Sequence, residues 1–162
     1  AVEAEPFFGE CAAHHRMVAG FEFARAITWE RLEHEGKLSP ILINGRCRDR
    51  LECSYEDYAA AQDALCRARS RFADIMASLD VLLTPVAVGG APEGLLATVN
   101  PVFNIDWTAL GVPALNVPVF HDRSGLPVGV QLIGAFRRDR HLLTAARAIA
   151  AHLDVPLVRP IG

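Results

Sequence analysis

The chain has 162 residues, 51% hydrophobic and 22% charged, with a formal net charge of −3. That length suits about one domain, and the balance is that of a globular protein, not a disordered one. Fifteen arginines and a single lysine, Lys37, are scattered without a long basic run, which argues against nucleic acid as a partner.

The opening decapeptide, AVEAEPFFGE, is acidic where a secretory signal would be basic. The longest apolar run, Val81 to Pro92, is too short to span a bilayer and contains Pro85. A cytoplasmic protein with no membrane partner is expected. The chain begins at Ala1, which fits removal of an initiator Met and equally fits excision from a longer chain.

From Gly9 to Gly36 one helical segment is expected. Met17, Phe21, Ala24 and Trp29, with Val18 and Leu32 beside them, recur at steps near three or four. Gly20 is its weak point and Gly36 its C-cap. The stretch KLSPILINGRCRDRLECS reads as a connection, with Pro40 and Asn44-Gly45 marking turns. Ser54 should cap a second helix, with Glu56 and Asp57 in its first turn. Tyr58, Ala61, Leu65, Ala68, Phe72, Ile75 and Leu79 form its apolar stripe.

Asp80 to Val86 reads as a short buried strand, and AVGGAPEG as a loop. Ala114 to Phe120 and Pro127 to Gly134 read as two more strands, paired antiparallel across the turn HDRSGL. Asp139 should cap the last helix. Leu142, Ala146, Ile149 and Leu153 make its inner face, and Pro156 lies beyond it. Nearly continuous apolar strands suit a sheet buried on both faces. Three strands need cover at their edges, from a partner or from further chain. The domain reading is 1–162 as a single partial domain: 1–53 a helix and connection, 54–79 a helix, 80–162 strands and the final helix.

A direct search for chemistry yields no catalytic set. His121, Asp122 and Ser124 share one loop, but no Gly stands two residues before the serine, as a nucleophile elbow needs. A solvated turn is the better reading. AVGGAPEG lacks the Lys-Ser/Thr of a phosphate loop. Cys11 and His15 stand four apart on a helix, yet two ligands do not make a metal site. His14 and His15 point to different sides of that helix. Cys47, Cys53 and Cys66 form no CxxC pair. The carboxylate pairs Glu33/Glu35 and Glu3/Glu5 read as solvated. No cofactor and no metal are expected.

Three strings in order change this picture. DVLLTP runs from Asp80 to Pro85, WTALGVPALNVP from Trp107 to Pro118, and GLPVGVQLIG from Gly125 to Gly134. A helix start, Asp139 to Leu143, follows. Together they closely resemble the C-terminal region of amidase-signature hydrolases. The resemblance covers most of the chain from about Leu51, and the first fifty residues less specifically. It implies the C-terminal part of an α/β/α mixed-sheet fold, with long helices and a few buried strands. It also implies amide-bond hydrolysis or amide transfer. A serine nucleophile would be activated through a second serine, held with a cis peptide bond, and a lysine base, and backbone N–H groups would hold the oxyanion.

The chain departs from that pattern at the chemistry. No Gly/Ser-rich stretch of the GGSSGG type occurs, and Lys37, in EGKLSP, has no serine pair beside it. No catalytic residue is therefore assigned. By resemblance, the segment Asn100 to Thr108 lies near the substrate pocket. Phe103 and Trp107 would form an apolar wall, and Asn104 and Thr108 would hydrogen-bond a small amide substrate. An equally weighted reading makes Phe103 and Trp107 core and Asn104 a turn cap. Relatives often carry Arg after the Asn of F-N, whereas Ile105-Asp106 stands here. Two functions stay open. One is an amidase C-terminal portion, inactive alone, whose partner is the missing N-terminal portion. The other is a free-standing, non-catalytic binding or assembly module, self-associating through a sheet edge.

Overall fold

A computed structural model describes residues 7–47, 51, 53–94 and 100–153. Pro156 and the Glu3/Glu5 pair lie outside the described residues. The chain divides into two compact units, one through Ala68 and one from Arg69.

In the first unit, the expected Gly9–Gly36 helix is broken in two. Helix α1 is Phe7–Ala26 and helix α2 is Thr28–Glu33, followed by a 3-10 turn at Glu35–Lys37. Ile27, between the helices, has φ −101° and ψ 27°. Two β-branched residues meet here, which lowers helix propensity. The Thr28 hydroxyl also donates to the carbonyls of Arg25 (2.7 Å) and Ala24 (3.4 Å), competing for the helix's own acceptors. Past the break the stripe rotates, and Trp29 and Leu32, expected on the apolar face, are exposed. Gly20 stays helical and buried. Gly36 sits inside the 3-10 turn and is not a C-cap.

The connection after Lys37 is also more helical than expected. Ser39 accepts from the Leu42 N–H through its hydroxyl (3.3 Å) and Pro40 opens the helical turn that follows. Serine as cap and proline at the first helical position form a helix-start pattern. A wide π-type turn then runs over Leu42–Cys47, in place of a tight turn at Asn44-Gly45.

Helix α3, Tyr55–Met76, forms as its stripe requires. The Asp57 N–H donates to Ser54 Oγ at 3.0 Å, and Ser54 Oγ donates to Asp57 Oδ2 at 2.6 Å. Ala61, Leu65, Ala68, Phe72 and Met76 are buried along it. Its first half belongs to the first unit, where Tyr58 stacks on Phe21 at 4.2 Å and its hydroxyl donates to Glu22 Oε1 at 2.8 Å.

The second unit holds a three-stranded sheet in the order β1-β3-β2: β1 is Leu82–Pro85, β2 Ala114–His121 and β3 Pro127–Ile133. Both ladders are antiparallel, so the expected β2–β3 hairpin is present. The hairpin turn is built on Asp122, whose Oδ1 accepts from the N–H groups of Ser124 (2.8 Å) and Leu126 (2.9 Å). His121 therefore closes β2 opposite Pro127, and Asp122 and Ser124 belong to the turn, with Asp122 spent on backbone.

Cross-strand partners share a face of the sheet. Val117 and Leu132, with Leu115 and Val130, pack one face onto Leu142, Ala146 and Ile149 of helix α5, Asp139–Ala150. Arg138, not Asp139, is the capping position of α5, and it makes no side-chain cap bond. Leu153 falls beyond the last turn and is 39% exposed. The expectation of strands buried on both faces is corrected. Central β3 ends in fully buried Leu132 and Ile133, but β1 alternates and Leu83 is 58% exposed. As outer strands, β1 and β2 each have one neighbour and so keep an open edge among the described residues.

Candidate functional site

The opposite face of the sheet carries a row of polar residues. Thr84, Gln131 and Asn116 are direct cross-strand neighbours on β1, β3 and β2. Polar atoms inside an apolar sheet need partners, and Gln131 finds one in the segment that precedes helix α4, Ile105–Leu110. The Thr84 hydroxyl donates to Gln131 Oε1 (3.3 Å), and Gln131 Nε2 donates to Asn104 Oδ1 (2.7 Å). Asn104 Nδ2 donates to the carbonyl of Val86 (3.0 Å), just past β1. Asn116 lies over Gly129, where any Cβ would overlap its carboxamide and the Val117 carbonyl. That close approach explains a glycine in mid-strand.

Asn104 occupies the capping position of α4, yet its side chain makes no cap bond. It is used on the sheet instead. One turn later the Thr108 hydroxyl donates to the Asn104 carbonyl (2.9 Å), and Thr108 is otherwise exposed. Trp107 is buried, its ring 5.7 Å from that of Phe72 on α3. Phe103 is half-buried. The four predicted site residues thus share one short segment with different surroundings: Trp107 in the core, Asn104 on the sheet, Phe103 at the boundary and Thr108 outside.

Helix α4 ends at Gly111, in the left-handed region at φ 65°, with its N–H on the carbonyls of Trp107 and Thr108. Glycine adopts that conformation without the Cβ penalty. Arg69 Nε donates to the Leu110 carbonyl at the helix end at 2.6 Å, and its guanidinium lies 5.0 Å from the Phe136 ring. Asp106, in the first turn, is half-buried. Its Oδ1 is fully covered without a hydrogen bond among the described residues. Burial pushes its carboxyl above the ordinary aspartate range.

Sequence reasoning passes over Gln131 and Thr84. The available signal is one amide inside PVGVQLIG, a strand otherwise apolar. Among the described residues no group of three or more His, Cys, Asp or Glu gathers as metal ligands. Nor is any described helix long and apolar enough to cross a membrane.

Within the second unit, helix α5 on one face of a small sheet and the segment bearing Asn104 over its polar row make an α/β arrangement. The family model described as Amidase matches residues 20–143. More than half of the chain is covered, and it belongs to the amidase family. Among its relatives is a glutamyl-tRNA(Gln) amidotransferase subunit of Synechococcus sp. (strain CC9311). It is 36% identical over 121 residues, covering 69% of this chain and 25% of the relative. The subunit of the same name from Gluconobacter oxydans (strain 621H) is 36% identical over 108 residues, covering 61% of this chain and 22% of the relative. The chain spans about a quarter of the length of these curated relatives.

Solved structures share the fold. A crystal structure of an amidase superposes with a TM-score of 0.79 at 23% identity, covering 90% of this chain and 36% of that one. The complex of 6-aminohexanoate cyclic dimer hydrolase with its substrate superposes with a TM-score of 0.72 at 19% identity, covering 96% and 37%.

Proposed function

We propose that this chain is the C-terminal portion of an amidase-type enzyme, acting in amide-bond hydrolysis or amide transfer. It supplies sheet core and one wall of the substrate pocket, within a single partial amidase domain. The observation that carries this reading is a mismatch. The amidase family model runs over residues 20–143, while no GGSSGG-like stretch occurs in the chain and its one lysine, Lys37, is exposed in a 3-10 turn. The nucleophilic serine, its serine partner and the lysine base would come from a segment N-terminal to this one. The wall would be Phe103, Asn104, Trp107 and Thr108, facing a small amide substrate, with no cofactor. Alone, the chain would be inactive.

Sequencing the transcript that encodes the chain tests this. An in-frame Gly/Ser-rich stretch upstream, with a lysine before it, is expected. A stop codon in frame upstream, with a start codon adjoining Ala1, would replace this reading with the non-catalytic module. The open edges of β1 and β2 favour that alternative in one respect, since they offer strand pairing to a second copy.

A further inference from the structure

The polar chain over the sheet has a direction. Gln131 is 6% exposed, so both ends of its carboxamide must be bonded within the protein. The Thr84 hydroxyl donates to its oxygen, which turns its nitrogen toward Asn104. Asn104 must then present its oxygen to Gln131 and its nitrogen to the Val86 carbonyl. Reversing one amide alone sets oxygen against oxygen or nitrogen against nitrogen, and reversing both sets the Asn104 oxygen against the Val86 carbonyl. The Thr84 hydroxyl can donate or accept, so the Val86 carbonyl, which only accepts, fixes the sense of the two amides. The second stands at the start of α4, where its backbone carbonyl also receives Thr108.

We propose that Gln131 is a positioning residue for the substrate pocket, acting through Asn104 to fix the Phe103–Thr108 wall against the sheet. The inference rests on the proposed role of that wall. Two kinds of variant separate it from simple packing. Thr84→Val keeps the shape and loses the donor, whereas Thr84→Ser keeps the donor and loses a methyl. In the intact polypeptide carrying this chain, Gln131→Leu should raise KM for a small amide about five- to tenfold with kcat within about twofold. Thr84→Val should move KM the same way by less, and Thr84→Ser should match the parent. In nitrogen-15 spectra of the chain, the Asn104 side-chain amide should exchange about tenfold faster with solvent in Gln131→Leu than in the parent.

The opposite order, Thr84→Ser impaired and Thr84→Val normal, overturns the proposal. So does an Asn104 amide indifferent to Gln131→Leu. An active enzyme whose KM is unmoved by Gln131→Leu also overturns it, while leaving amide hydrolysis standing. A parent polypeptide without amide hydrolysis defeats the functional reading instead. The Asn104 spectra of the Gln131 and Thr84 variants then decide the positioning chain by themselves.

Discussion

Replacing Trp107 with alanine separates the two readings of the wall. The side chain is 9% exposed and its ring meets that of Phe72, itself 1% exposed. A buried tryptophan withdraws roughly 250 Å² from water, worth about 6 kcal/mol at ~25 cal/mol per Å² as an upper estimate. Partial collapse of the cavity brings the expected cost to about 3–5 kcal/mol. The aromatic pair with Phe72 accounts for about 0.5–1.5 kcal/mol of it. Domains of this size are stable by only about 5–15 kcal/mol, so Trp107→Ala should remove much of the total. Guanidinium denaturation followed by far-ultraviolet circular dichroism reads this as a lower midpoint at constant slope. Trp107→Phe should fall between parent and alanine. A Trp107→Ala protein within about 0.5 kcal/mol of the parent would refute the packing argument and leave Trp107 as pocket lining only.

Other perturbations have definite signs. The carboxyl of Asp106 is held above its ordinary value by burial, so between the ordinary and the raised value the folded state binds more protons than the unfolded one. Stability from this residue is then greatest at acid pH and falls as pH rises through its raised value. Asp106→Asn should flatten that slope and stabilise the protein at neutral pH, as thermal unfolding followed from acid to neutral pH would show; an unchanged slope would contradict it. Asp122→Ala strands two backbone N–H groups of the hairpin turn and should cost about 1–2 kcal/mol in denaturant unfolding. Ser124→Ala should stay within about 0.5 kcal/mol, and a larger loss would revive a role for that serine. Gly111→Ala places a Cβ at φ 65° and should cost about 1 kcal/mol, seen as a lower unfolding midpoint.

The sequence is most legible where one periodicity rules a long element. Helix α3 follows its stripe from Tyr58 to Ile75, with Ser54 as cap. The β2–β3 hairpin follows from two apolar runs flanking Asp122 and Gly125. It is least legible where side chains redirect the backbone. The Thr28 hydroxyl takes carbonyls from α1, and Ser39 with Pro40 starts a helix from residues that also suit turns. Burial of the sheet is overestimated from sequence because apolar content does not say what covers it: Leu83 and Phe120 remain 58% and 59% exposed.

At the candidate site, the motif strings single out the Phe103–Thr108 segment but not what holds it. Asn104 suits a cap by type, yet a partner 27 residues away in sequence, Gln131, takes its side chain. No local rule reaches that far. Trp107 and Thr108 are neighbours in the motif and sit in opposite environments, because a helix turns each successive residue by about 100°.

Amide hydrolysis by the chain alone and after reconstitution with an N-terminal amidase segment bearing the Ser-Ser-Lys set tests the central claim most directly. The chain alone should release no ammonia from small amides, and the reconstituted pair should. Turnover by the isolated chain, or a pair that assembles and stays inactive while the same segment works with another amidase C-terminal portion, would contradict it.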